Sequence, residues 1–169
     1  NVGWAYYNGA QVDKKNNNPE EANKKLAFAK TSFEQSAAMD PNLSAAFLNL
    51  GSTNNALGDF AAATTALNRA LALNGNWVIA MNQLGLAYRG SNNLAAAVST
   101  FNQVVNLDGN NVFGLYSLGS AQFASGDKKG AKKTQDRLKK LNPELANQLG
   151  NIIAGKLIDA GTQKIRQKV

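Results

Sequence analysis

Residues 78–111 read VIAMNQLGLAYRGSNNLAAAVSTFNQVVNLDGNN, and much of the chain is a set of variations on that stretch. It closes around Asp108-Gly109. The dipeptides Asp40-Pro41, Asn74-Gly75 and Asn142-Pro143 fall at the same interval, 34 residues from one to the next. Each is a helix-stopping signal, because glycine tolerates left-handed φ and proline lacks the N–H that a continuing helix needs. Columns between the turns repeat as well. Leu50-Gly51, Leu84-Gly85 and Leu118-Gly119 are in register, as are Ala29, Ala63, Ala97 and Ala131. Phe33, Leu67 and Phe101 follow the first three alanines by four residues, where Gln135 follows the last. Gly58-Asp59, Asn92-Asn93 and Gly126-Asp127 mark a second turn inside each repeat. A strict period of this length is the mark of stacked helical hairpins.

The motifs Phe47-x2-Leu50-Gly51, Met81-x2-Leu84-Gly85-x2-Tyr88 and Leu115-x2-Leu118-Gly119 resemble the tetratricopeptide repeat (TPR) family. That resemblance implies an all-α fold, a right-handed superhelical solenoid of helix-turn-helix hairpins. Gly51 and Ala63 are expected to let the two helices of one hairpin approach closely, with large residues filling the gap to the next. The expected organisation is a first unit over 1–43, truncated at its start, then repeats at 44–77, 78–111 and 112–145. A C-terminal capping helix and basic tail over 146–169 follow. In the capping segment Leu145, Leu149, Ile152, Ile153 and Leu157 recur at helical spacing,.

The first unit departs from the pattern. Asn1 to Tyr6 align with Gln83 to Tyr88, so the chain opens inside a helix and is expected to be part of a longer protein. From Tyr6 to Ala29 the spacing exceeds that from Tyr88 to Ala97 by 14 residues. This insertion near 10–23 contains Asp13-Lys14-Lys15-Asn16-Asn17-Asn18-Pro19 and reads as a surface loop. Pro19-Glu20-Glu21 then starts an extended second helix with Asn18 as its cap.

Composition narrows the chemistry. There is no Cys and no His, so disulfides, thiol nucleophiles and the usual general base near neutral pH are absent,. The 11 acids are scattered, mostly in turns and caps such as Asp40, Asp59, Asp108 and Asp127. No catalytic residues, cofactor or metal site are expected, and the chain does not read as an enzyme. No apolar run is long enough for a membrane span. Asn makes up 23 of 169 residues. Most lie in turns, but Asn49 and Asn82 fall within helices, where Asn is a mediocre helix former. Low charge density, abundant Asn and absent Cys fit a bacterial periplasmic or envelope protein.

The net charge of +7 is concentrated near the C-terminus. Lys128, Lys129, Lys132, Lys133, Arg137, Lys139 and Lys140 crowd one helix. Such a patch can serve nucleic acid, an anionic membrane or an acidic partner. Residues 128–141 contain no aromatic for base stacking, and the last helix offers only Leu and Ile, not Trp or Phe, to a membrane,. Nucleic acid and membrane are therefore not the expected partners.

The resemblance places a ligand groove along the first helix of each hairpin. The residues it nominates are Trp4, Tyr7, Asn49, Asn82, Gln83, Leu86, Arg89, Phe113, Tyr116 and Phe123, with Ser117 and Ser120 in the same columns. Aromatics give rigid contact area and amides can pair with a peptide backbone. A protein or peptide ligand bound as an extended segment or helix is the expected partner. Two alternatives stay open: a self-associating scaffold, and a basic adaptor docking on nucleic acid or anionic membrane through 128–168.

Overall fold

The computed structural model describes residues 2–155. They form α1 (Val2–Lys15), α2 (Pro19–Met39), α3 (Ser44–Leu57), α4 (Phe60–Leu73), α5 (Val78–Gly90), α6 (Leu94–Leu107), α7 (Val112–Ala124), α8 (Lys128–Lys139) and α9 (Pro143–Ile153). Leu157 and the terminal basic residues lie outside the described residues. The chain divides into two compact units, one ending at Ala87 and the other starting at Tyr88.

Within each hairpin the turn is the same object each time. Asn17, Gly58, Asn92 and Gly126 adopt positive φ. The N–H of each bonds to the carbonyl three residues back, and the next N–H bonds to the carbonyl five residues before it. This pair of bonds uses up carbonyls that a helix end would otherwise leave without donors. The following residue begins the second helix. Asp59, Asn93 and Asp127 each accept a backbone N–H with the side chain, from Ala62, Ala96 and Gly130. Asn18 holds the same position before Pro19, but its side chain makes no such bond, contrary to expectation.

The turns between repeats work differently from the sequence reading. Gly75 and Gly109 are not left-handed; among the described residues only Gly58, Gly126 and Gly155 are positive-φ glycines. The helix end is instead carried by Asp40, Asn74, Asp108 and Asn142, whose N–H groups bond four residues back. The Asp40 and Asp108 carboxylates then accept the N–H of Asn42 and Asn110. Because φ stays negative at the next position, Pro and Gly can alternate there.

The first hairpin corrects the expected loop. The extra 14 residues are helical: seven lengthen α1 before the Asn17 turn and seven lengthen the start of α2. Asp13, Lys14 and Lys15 continue α1, and only Asn16 to Asn18 turn the chain. The extension has its own packing. Ala10, Ala22 and Leu26 are buried together, with Tyr7, Ala56 and Leu57 against them. The Lys14 ammonium donates to the Ala56 carbonyl at 2.7 Å, at the end of α3. Asp13 and Lys25 pair across the hairpin at 2.7 Å.

The core follows the repeat columns. Ala29, Ala63, Ala97 and Ala131 are fully buried, as are Leu67, Phe101 and, nearly, Phe33. A methyl on Gly3 would strike the Phe33 ring, and one on Gly51 would strike Leu67. The close approach inferred for Gly51 is thus made against the residue four after Ala63. In the last hairpin the equivalent residue is Gln135, and the atoms over Gly119 belong to Leu149 of α9. Gln135 turns away and donates to the Ala146 carbonyl on α9 at 2.9 Å.

Candidate interaction surface

The glycine contacts fix how each first helix is rotated. Gly3 faces Phe33 and Gly51 faces Leu67, so α1 and α3 turn equivalent sides to their partners. Trp4 and Ser52, one residue on, then occupy one column; Leu86 follows Gly85 in the same way. In the unit ending at Ala87, the ring of Trp4 stacks on that of Tyr7, centroids 5.4 Å apart and planes 6° from parallel. Trp4 is 48% exposed and Tyr7 half-buried against the Ala10–Leu26 cluster. Burial pushes the Tyr7 hydroxyl pKa upward. An aromatic pair held this way is rigid on one side and open on the other.

The amides of this unit are not a free ladder. Asn55 donates to both the carbonyl and the side-chain oxygen of Gln83, at 2.8 and 3.1 Å, joining α3 to α5. Gln83 is therefore a structural tie as well as a surface group. Asn49, Asn82, Gln83 and Leu86 are half-buried. The side-chain oxygen of Asn82 is buried and accepts no hydrogen bond. Asn54 is almost wholly buried, with its oxygen likewise unpaired. Its column in other repeats holds Tyr88 and Gln122. Nothing in the sequence pattern distinguished it from its exposed neighbours.

In the unit starting at Tyr88, Phe113 is 46% exposed, while Arg89, Tyr116 and Phe123 are half-buried. Arg89 and Tyr116 both have interaction partners. Ser117 and Ser120, expected on the groove face, are buried where α9 packs on α7. The cap takes the place that a further repeat's first helix would hold, and it covers those columns.

The basic residues fall as expected on the outside of α8. Ala131, Thr134 and Leu138 are buried, and Lys128, Lys129, Lys132, Lys133, Arg137, Lys139 and Lys140 are all exposed. Lys132 pairs with Asp136 at 3.4 Å, and Arg137 donates to the Gly109 carbonyl at 3.3 Å. Among the described residues no group of His, Cys, Asp and Glu could hold a metal, and no helix is long and apolar enough to cross a membrane.

Two stretches of the sequence, residues 44–76 and 78–111, match the tetratricopeptide repeat family model. No curated protein matches the chain in sequence. Solved structures similar in fold include MamA (41-end) from Desulfovibrio magneticus RS-1, 20% identical with a TM-score of 0.66, matched over 85% of this chain and 97% of that one. TTC0263, a thermophilic TPR protein of Thermus thermophilus, is 16% identical with a TM-score of 0.66, over 91% and 82% of the two chains. YrrB, described as a TPR protein with an unusual peptide-binding site, is 25% identical with a TM-score of 0.63, over 92% and 75%.

Proposed function

The chain carries tetratricopeptide repeats at residues 44–76 and 78–111, and from that premise we propose that it is a non-catalytic protein-interaction module that holds a peptide or a partner helix on the first helices of its hairpins. The observation that carries this reading is the Trp4–Tyr7 stack, open to solvent on a helix whose rotation is fixed by Gly3. Exposed aromatic area anchored from beneath is what binding hot spots use. Leu86 adds apolar contact in the Trp4 column. The Asn82 oxygen, lacking a donor, suits a peptide N–H once the side chain turns outward,. Phe113, Tyr116 and Phe123 offer a similar aromatic set on α7. A bacterial envelope setting belongs to the same reading.

The test is to pan a displayed peptide library on the protein and measure one enriched peptide against wild type and Trp4→Ala/Leu86→Ala. We expect affinity to fall about tenfold or more, as for loss of an aromatic anchor, with the helical circular dichroism unchanged. Equal affinity for wild type and folded variant would sink the reading.

A second reading, self-association, rests on a separate observation. Tyr6 stacks on Phe28 with centroids 5.2 Å apart, Phe28 is 58% exposed, and Val2 lies exposed one turn away. Sedimentation across a concentration series tests it; a mass that stays monomeric at every concentration would exclude it.

A further inference from the structure

We propose that the outer face of α8 is a docking surface for an anionic membrane. Its shape and chemistry are those of a strip, not a cleft. The buried residues Ala131, Thr134 and Leu138 hold one side of the helix against the fold. At 100° per residue, Lys128, Lys129, Lys132, Lys133, Arg137, Lys139 and Lys140 cover the opposite half of the circumference from one end of α8 to the other,.

The acids nearby are committed elsewhere. Asp127 caps the helix by accepting the Gly130 N–H at 2.8 Å. Asp136 pairs with Lys132. Asp108 accepts from the N–H of Asn110 and the amide of Asn111. Glu144 stands in the first turn of α9, beyond the strip. The face is therefore a row of cations with little internal neutralisation, and the charge that complements it is a sheet of anions.

Three classes of partner carry such charge, and the apolar neighbours choose among them. Arg137 reaches the Gly109 carbonyl, which holds the turn after α6 beside the C-terminal end of the strip. Leu107 lies two residues before that carbonyl and Leu141 follows Lys140, and both are exposed. Large apolar side chains at the end of a cationic face have no use against a phosphodiester backbone. At a lipid interface they enter the acyl boundary while the cations meet the headgroups. The sequence reading set membranes aside because Trp and Phe were missing from α9; the leucines flanking α8 come from two turns far apart in sequence. Nucleic acid gains nothing from them and finds no aromatic on α8 for stacking. An acidic peptide would be expected in a concave site, and this face is the outward side of a single helix.

The experiment is co-sedimentation of the full chain with phosphatidylcholine vesicles and with mixed phosphatidylcholine–phosphatidylserine vesicles, across a salt series. Three proteins are compared: wild type, K128Q/K129Q/K132Q/K133Q, and L107S/L141S. All the substituted residues are exposed, and circular dichroism verifies that each variant is folded. Wild type is expected to bind only the mixed vesicles and to be released by salt. Each lysine removed should lower partitioning about fivefold, from roughly 1 kcal/mol per basic residue near the surface, so the first variant should lose binding. The second should bind several-fold more weakly. A duplex oligonucleotide, measured by fluorescence anisotropy, is the third ligand. No binding to mixed vesicles overturns the proposal. So does binding unaffected by the lysine substitutions. If the leucine variant binds vesicles as wild type does while duplex is bound more tightly than lipid, the strip is a polyanion site and the membrane assignment is wrong.

Discussion

In the first hairpin Gly3 is covered by Phe33 of its own partner helix; in the last, Gly119 is covered by Leu149 of α9, because position 135 is Gln. The two ends fill the same slot from different places. At the start, the hairpin is self-sufficient, lengthened in both arms and closed around Ala10, Ala22 and Leu26. At the end, the hairpin is incomplete and depends on the cap for both the hydrophobe over its glycine and the carbonyl that Gln135 bonds. A solenoid repeat therefore requires that its slot be filled, not that a given residue fill it.

The comparison breaks most readily at Leu149. Leu149→Ala should cost about 2–5 kcal/mol of unfolding free energy in urea titration, and Phe33→Ala about 3–5 kcal/mol, as for other large buried side chains. If the slots are equivalent, adding Gln135→Leu to Leu149→Ala should recover part of the loss, because a leucine at 135 can lie over Gly119 as Leu67 lies over Gly51. A double mutant no better than the single would show that the ends differ in more than the origin of one side chain.

Next come the glycines themselves. Gly51→Ala and Gly119→Ala each force a methyl into a leucine. About 1–3 kcal/mol of overpacking is offset by about 1 kcal/mol of helix propensity. Both variants should lose stability, Gly51→Ala more, since its nearest neighbour is the branch carbon of Leu67 and that of Gly119 is a Leu149 methyl. Equal stability in thermal melts would mean that the cap yields without cost.

A smaller effect is expected at the hairpin turns. Gly126→Ala, at φ 91°, should cost about 1 kcal/mol,. Asn17→Gly and Asn92→Gly should stay within about 0.5 kcal/mol, because Asn already tolerates that region. Larger losses at Asn17 alone would set the first turn apart from the others.

The smallest concerns the first hairpin's ion pair. Asp13→Asn should cost at most about 1 kcal/mol. The hydrogen bond to Asp13, with the charges of Asp13 and Glu21, raises the Lys25 pKa above the usual lysine range, against some desolvation. A cation with a raised pKa contributes fully below its ordinary value and loses that contribution as pH rises through its folded value. The difference between wild type and variant should hold from pH 7 to 9 and close only above about 10.4. A difference that vanishes near neutrality would assign the stabilisation elsewhere.

Much of this fold was legible in the 34-residue spacing and the Leu-Gly and Ala columns, because close packing of repeated hairpins demands small residues at fixed places. The extended hairpin was not. Asp13-Lys14-Lys15-Asn16-Asn17-Asn18 has the composition of a loop, yet Lys is a good helix former and a polar stretch that faces water loses nothing by staying helical. Gln135 was visible as a gap in a column, but its reason lay on α9, outside the repeat. The candidate surface was legible only as a set of columns. That Trp4 and Tyr7 stack, that Gln83 ties α3 to α5, and that α9 buries Ser117 and Ser120 all depend on neighbours that no single repeat contains.

The seven-residue length of each added segment has a consequence for how such proteins change. Seven residues fall only about 20° short of two whole helical turns. Two such additions, one on each side of a turn, lengthen a hairpin by about 10 Å without exchanging its inner and outer faces. An addition of five or six residues to one arm would rotate a polar side inward. Hairpin height is thus a dial with discrete stops, adjustable in evolution or by design while the stacking below stays as it was.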